Sequence, residues 1–85
     1  MAVIENLADY DRFAAGVEEM DGPALIAQHL VLRGAEHALH SAIYLVPIGA
    51  ARNIVAEMLE NVRHCKRVVE VKAAASAVTL VSESE

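Results

Sequence analysis

Apolar side chains recur at three- and four-residue spacing along most of the chain, and turn-forming residues interrupt that rhythm twice. Val3, Leu7, Tyr10, Ala14 and Val17 predict a first helix over 2–20, with Glu5, Asp9 and Asp11 in the half where the helix dipole favours acids. Asp21-Gly22-Pro23 ends it. Pro23 suits the first turn of a second helix over 24–46, with Asp21 or Gly22 as its cap. Pro47-Ile48-Gly49 then breaks the pattern. Proline removes a backbone donor and clashes with the preceding turn, so a hairpin turn is expected here in preference to a kinked continuation. A third helix is expected over 51–72. Val55, Met58, Leu59, Val62, Cys65 and Val69 form its apolar stripe, opposite Arg52, Glu60, Arg63 and Arg67. Residues 73–85 lose the period. Ala77-Val78-Thr79-Leu80-Val81 is expected as a short strand or an arm on a neighbour, and Ser82-Glu83-Ser84-Glu85 as disordered.

The expected fold is all-α: a helical hairpin plus an N-terminal helix in one domain, 1–85, with an irregular or β-like tail. The second helix sets the assembly. On a wheel of about 100° per residue, His29, Arg33, Glu36 and His40 fall within about 60°, with His37 beside them. Leu25, Leu32, Leu39 and Ile43 lie on one flank of this stripe, and Ile26, Leu30 and Tyr44 on the other. Ala27, Val31, Gly34, Ala38 and Leu45 lie behind it. A helix apolar on nearly every side is a buried helix. Two other helices from one short chain cannot cover it all, so the two flanks are expected to form an interface with a second copy. A twofold dimer with a four-helix core is the simplest closed form.

Size points the same way. An 85-residue chain buries only about 60–65% of its unfolded surface, and such domains commonly need a staple. Cys65 is the single cysteine, so no intrachain disulfide can serve, and a lone thiol fits a reducing, cytoplasmic setting. The longest stretch without Asp, Glu, Lys or Arg runs from His37 to Ala51, too short and too interrupted to span a bilayer. The first basic residue, Arg12, follows three acids, unlike a secretory leader. A net charge of −5 argues against nucleic acid as the main partner, and Arg63, His64, Lys66 and Arg67 are diluted by Glu57, Glu60 and Glu70.

The stripe has two readings. In one it is the solvent edge of the helix, with His29–Arg33 and Glu36–His40 as i,i+4 neighbours. In the other it faces inward, and His29, Glu36, His37 and His40 ligate zinc, iron or nickel, with a twofold axis doubling the ligand count. The spacing matches no established pattern: HExxH is absent, and Glu36–His40 and Glu60–His64 are four apart where di-iron bundles use Glu-x-x-His. Buried histidines there would also make an assembly that loosens in acid. Cys65 sits on the apolar stripe and is expected to fill core rather than to react.

The run Glu57-Met58-Leu59-Glu60-Asn61-Val62-Arg63-His64-Cys65 resembles the Leu/Glu-rich stretch ending in His-Cys of the CsoR-type copper-sensing repressors, which are small and all-helical. The resemblance spans nine residues of 85. Asn61 stands where that family has a ligand histidine, the partner cysteine is missing, and the first helix is not Arg-rich. It therefore implies neither copper sensing nor DNA binding here. The residues favour a non-catalytic oligomerisation or interaction module, or an accessory subunit, that binds itself or another protein and carries no cofactor. The alternative is a small metal-binding helical bundle.

Overall fold

A computed structural model describes residues 7–81 and shows three helices: α1 (Leu7–Glu18), α2 (Gly22–Ile43) and α3 (Ala50–Ala75). No strand occurs among the described residues. The expected start of the first helix at residue 2, and the Ser-Glu repeat at 82–85, lie outside them.

Local chemistry explains each boundary. The Asp21 carboxylate accepts the Ala24 N–H at 2.9 Å, and the Asp21 carbonyl accepts the Leu25 N–H at 2.9 Å. With Pro23 in the first turn, this begins α2 at Gly22, two residues earlier than its apolar period suggests. The other end falls at Ile43 rather than 46. The helical partner of the Ile43 carbonyl would be the N–H of residue 47, which proline lacks. Arg52 fills the gap, its Nε donating to the Ile43 carbonyl at 3.0 Å across the hairpin. Gly49 turns the chain at φ 148° and ψ −162°, a region open to glycine, and α3 starts at the next residue. Pro47 therefore marks a turn.

The third helix runs past its expected end at 72 because Ala73, Ala74 and Ala75 are strong helix formers. It ends in a Schellman turn. Val78 N–H donates to the Ala73 carbonyl at 2.8 Å, and Ala77 N–H to the Ala74 carbonyl at 3.2 Å. Ala77 takes the left-handed conformation this requires, at φ 56°. The turn folds the tail back: Val78 packs against the core, and Arg33 Nη1 donates to the Val81 carbonyl at 3.1 Å. The expected strand at 77–81 is thus a capping turn and a short return segment.

Val17, Leu25, Leu32, Leu59, Val62, Cys65, Val69 and Ala73 are buried. The centre is the α2–α3 hairpin. α1 lies on α3 through Val17 and the half-buried Tyr10 and Phe13. Tyr10 Oη donates to Asn61 Oδ1 at 2.7 Å, and Lys72 pairs with Glu18 at 3.1 Å. The molecule measures 41 × 35 × 14 Å between Cα extremes. Helices about 9 Å apart with a Cα radius of about 2.3 Å make that thinnest dimension two layers deep at most. None of the helices is long and apolar enough to cross a membrane among the described residues.

Candidate functional site

The polar stripe of α2 neither faces solvent as a unit nor converges on one point. His29 is buried, 5% exposed, on the α3 side of the helix. Its Nε2 lies 3.0 Å from Glu70 Oε2, and its Nδ1 has no hydrogen-bond partner. Two turns on, Glu36 meets α3 as well. Lys66 Nζ donates to Glu36 Oε1 at 2.5 Å, and Arg63 Nε to Glu36 Oε2 at 3.1 Å. The Lys66 hydrogen bond, against the opposing effect of partial burial and aided by Arg63, holds the Glu36 carboxyl below the ordinary glutamate range. Arg63 also donates to Glu60 at 3.2 Å.

His37 and His40 are exposed. The His40 ring meets the Tyr44 ring edge-on, with centroids 5.5 Å apart. Together with Arg33, Gly34, Glu36 and Arg63 they line an open groove of about 640 Å³ between α2 and α3. Of the four residues considered as metal ligands, Glu36, His37 and His40 line the groove, with Glu36 already bound to two cations, and His29 is tied to Glu70. Among the described residues no group of three or more His, Cys, Asp or Glu is placed to hold a metal ion.

The apolar positions divide similarly. Leu25 and Leu32 belong to the subunit's own core, at 0% and 4% exposure, and are not open to a second chain. Leu39, Ile43 and Ile26 are half-buried, whereas Leu30 and Tyr44 are exposed. The outward side of α2 is a different row: Ala27, Val31, Gly34, Ala38 and Ser41, continued by Leu45 in the turn, all exposed. These follow one another at alternating four- and three-residue steps, the spacing of a helix-packing seam. No Asp, Glu, Lys or Arg interrupts them. Val31 is 65% exposed, and at the hairpin tip Leu45 and Ile48 reach 83% and 88%. A Cβ added at Gly34 would meet nothing within 4 Å, so this stretch of helix backbone is bare.

His64 and Cys65 do not act together. His64 is exposed and stacks edge-on against Tyr10 at 4.6 Å, while Cys65 is fully buried. Burial pushes the Cys65 thiol above its ordinary range, which suits a core residue.

One feature escaped the sequence reading. The cations that neutralise Glu36 lie on another helix, 27 and 30 residues away. The outward row was legible as Ala27, Val31, Gly34, Ala38 and Leu45 behind the stripe, to which the structure adds Ser41. Comparison of the chain with protein-family profiles, with curated proteins and with solved structures finds no match.

Proposed function

We propose that this chain is a self-assembling helical module whose outward α2 face pairs with the same face of a second copy. The observation that carries the reading is the uncharged row Ala27, Val31, Gly34, Ala38, Ser41 and Leu45, exposed along the whole helix. An exposed helix face without charges is unusual for a chain with 22% charged residues.

The row complements itself. In an antiparallel pair centred on residue 36, Ala27 lies opposite Leu45, Val31 opposite Ser41 and Gly34 opposite Ala38. A larger side chain meets a smaller one at the first two levels, and the third allows close backbone approach. No like charges meet along the row.

Function then resides in assembly, with the remaining surfaces free to present or receive other groups.

The test is the subunit count by sedimentation equilibrium at micromolar concentration, for the natural chain and for Val31→Glu. The natural chain is expected as a dimer. Val31→Glu, which places two carboxylates in the seam and touches no core residue, is expected as a folded monomer with unchanged helix content. A natural chain that stays monomeric at high concentration refutes the reading.

A further inference from the structure

A second groove, of about 370 Å³, runs between α1 and α3. Its apolar walls are Ala14 and Val17 on α1 and Val68 and Val71 on α3. Val17 is part of the core, whereas Val71 is 65% exposed. Four polar side chains also line it, and three of them have partners. Lys72 pairs with Glu18 at 3.1 Å, and the His64 ring rests edge-on against Tyr10. Arg67 differs. It is exposed, and among the described residues no hydrogen bond or ion pair holds it. The acids on either side of it along α3 are taken, since Glu60 accepts from Arg63 at 3.2 Å and Glu70 meets His29 Nε2 at 3.0 Å.

We propose that this groove binds a medium-chain fatty acid, with its carboxylate on Arg67 and its alkyl tail along Val68 and Val71. A guanidinium offers a planar fork that matches a carboxylate. Arg67 and Lys72 against Glu18 leave a balance of +1 with His64 neutral, and Glu18 and Lys72 cancel each other. One unpaired positive charge beside an apolar wall calls for one negative charge on an apolar body. A multiply charged anion would bring charges that nothing in the groove meets.

The size agrees. The volume of about 370 Å³ falls at the small end of ligand sites, which span about 300–1,000 Å³. On α3 the lining runs from Arg67 to Ala75, about 12 Å along the axis, which is room for one extended chain of medium length. The groove is small for a partner helix about 10 Å across. None of its lining residues belongs to the outward α2 row, so the inference holds whether or not the chain pairs.

Calorimetric titration of the full chain at neutral pH with octanoate, octanol and acetate tests this. Octanoate is expected to bind saturably, one per chain, with octanol at least about tenfold weaker and acetate not bound. Arg67→Gln is expected to weaken octanoate about tenfold and to leave octanol unchanged, which a general loss of structure would not do. Val71→Glu, which sets a carboxylate on the apolar wall, is expected to abolish octanoate binding. Val31→Glu, on the outward α2 row, is expected to leave it unchanged. Arg67 and Val71 are both exposed, so their variants are expected to keep the helix content of the natural chain by circular dichroism. The proposal is overturned if octanoate shows no saturable binding, if Arg67→Gln affects octanoate and octanol alike or neither, or if Val31→Glu removes the binding and Val71→Glu does not.

Discussion

Replacing His29 by leucine is expected to make the protein more stable, although it removes a hydrogen bond from the core. His29 is buried, and its Nε2 is 3.0 Å from Glu70 Oε2. An ionised carboxylate only accepts, so Nε2 carries the hydrogen. Nδ1 is then a bare lone pair in the neutral ring and an N–H in the cation, and in either case it has no partner. A buried polar atom without a partner costs about 1–3 kcal/mol. The bond to Glu70 offsets part of this. A bond to a charged group contributes about 1.5–3 kcal/mol at best, but the Glu70 side chain is 45% exposed. Water replaces the histidine there, so the net contribution is nearer 0.5–1 kcal/mol. Leucine also has the better helix propensity by a few tenths of a kcal/mol. The balance is a gain of about 1 kcal/mol, or about 4–8 °C in melting temperature for a domain of this size.

Urea unfolding followed by far-UV circular dichroism, at one fixed protein concentration, measures it. His29→Ala is the control: it also removes the orphaned nitrogen but leaves a cavity, and it is expected to lose about 2 kcal/mol. Glu70→Gln should weaken the natural chain by less than about 1 kcal/mol and leave the His29→Leu variant unchanged. If His29→Leu lowers stability by more than about 1 kcal/mol with no change in the urea slope, the reasoning about the orphaned nitrogen is wrong.

Three further outcomes follow from the backbone and the ion pairs. Ala77 holds φ 56° in the turn that ends α3, so Ala77→Gly is expected to raise stability by about 0.5–1 kcal/mol in the same unfolding assay. Gly49→Ala forces a side chain onto φ 148° and is expected to lower stability by about 1–3 kcal/mol despite open space for the methyl group. Glu36 titrates below its ordinary value because of Lys66 first and Arg63 second. Its contribution is therefore complete above the ordinary glutamate pKa and is lost as pH falls through the depressed folded value. Glu36→Gln is expected to flatten the acid limb of a stability–pH curve and to lower stability at neutral pH by about 1–2 kcal/mol.

The helices were legible because their signals are local. The cap at Asp21, the break at Pro47 and the Leu59–Val62–Cys65–Val69 stripe each rest on residues within a turn or two of one another. The extension of α3 to Ala75 is local too, since three alanines favour helix, but what stops the helix is the conformation of Ala77, which its residue type does not announce. The candidate site was legible only in part. The wheel placed His29, Glu36 and His40 on one arc, and they are on one arc. It could not show that Glu70, Lys66 and Arg63, over 25 residues away, come to meet two of them.

The same limit explains the assignment of the two apolar arcs of α2. Leu25, Leu32, Leu39 and Ile43 look like an interface on a wheel, because a wheel does not say which arc the chain's own third helix covers. Side-chain size separates them. The arc that meets α3 carries three leucines and an isoleucine, which fill the space between helices joined by a short turn. The outward arc carries Ala27, Gly34, Ala38 and Ser41, which would leave voids against an ordinary neighbour at about 9 Å. Small residues at helix-packing spacing fill space only when two backbones come close, and that closeness needs a facing helix with small residues where the two cross and complementary sizes beside them. Within this chain α3 offers no such row, since its exposed positions include Glu57, Glu60, Arg63, Arg67 and Glu70. In the pairing proposed above, that requirement is met by α2 of a second copy, run the other way.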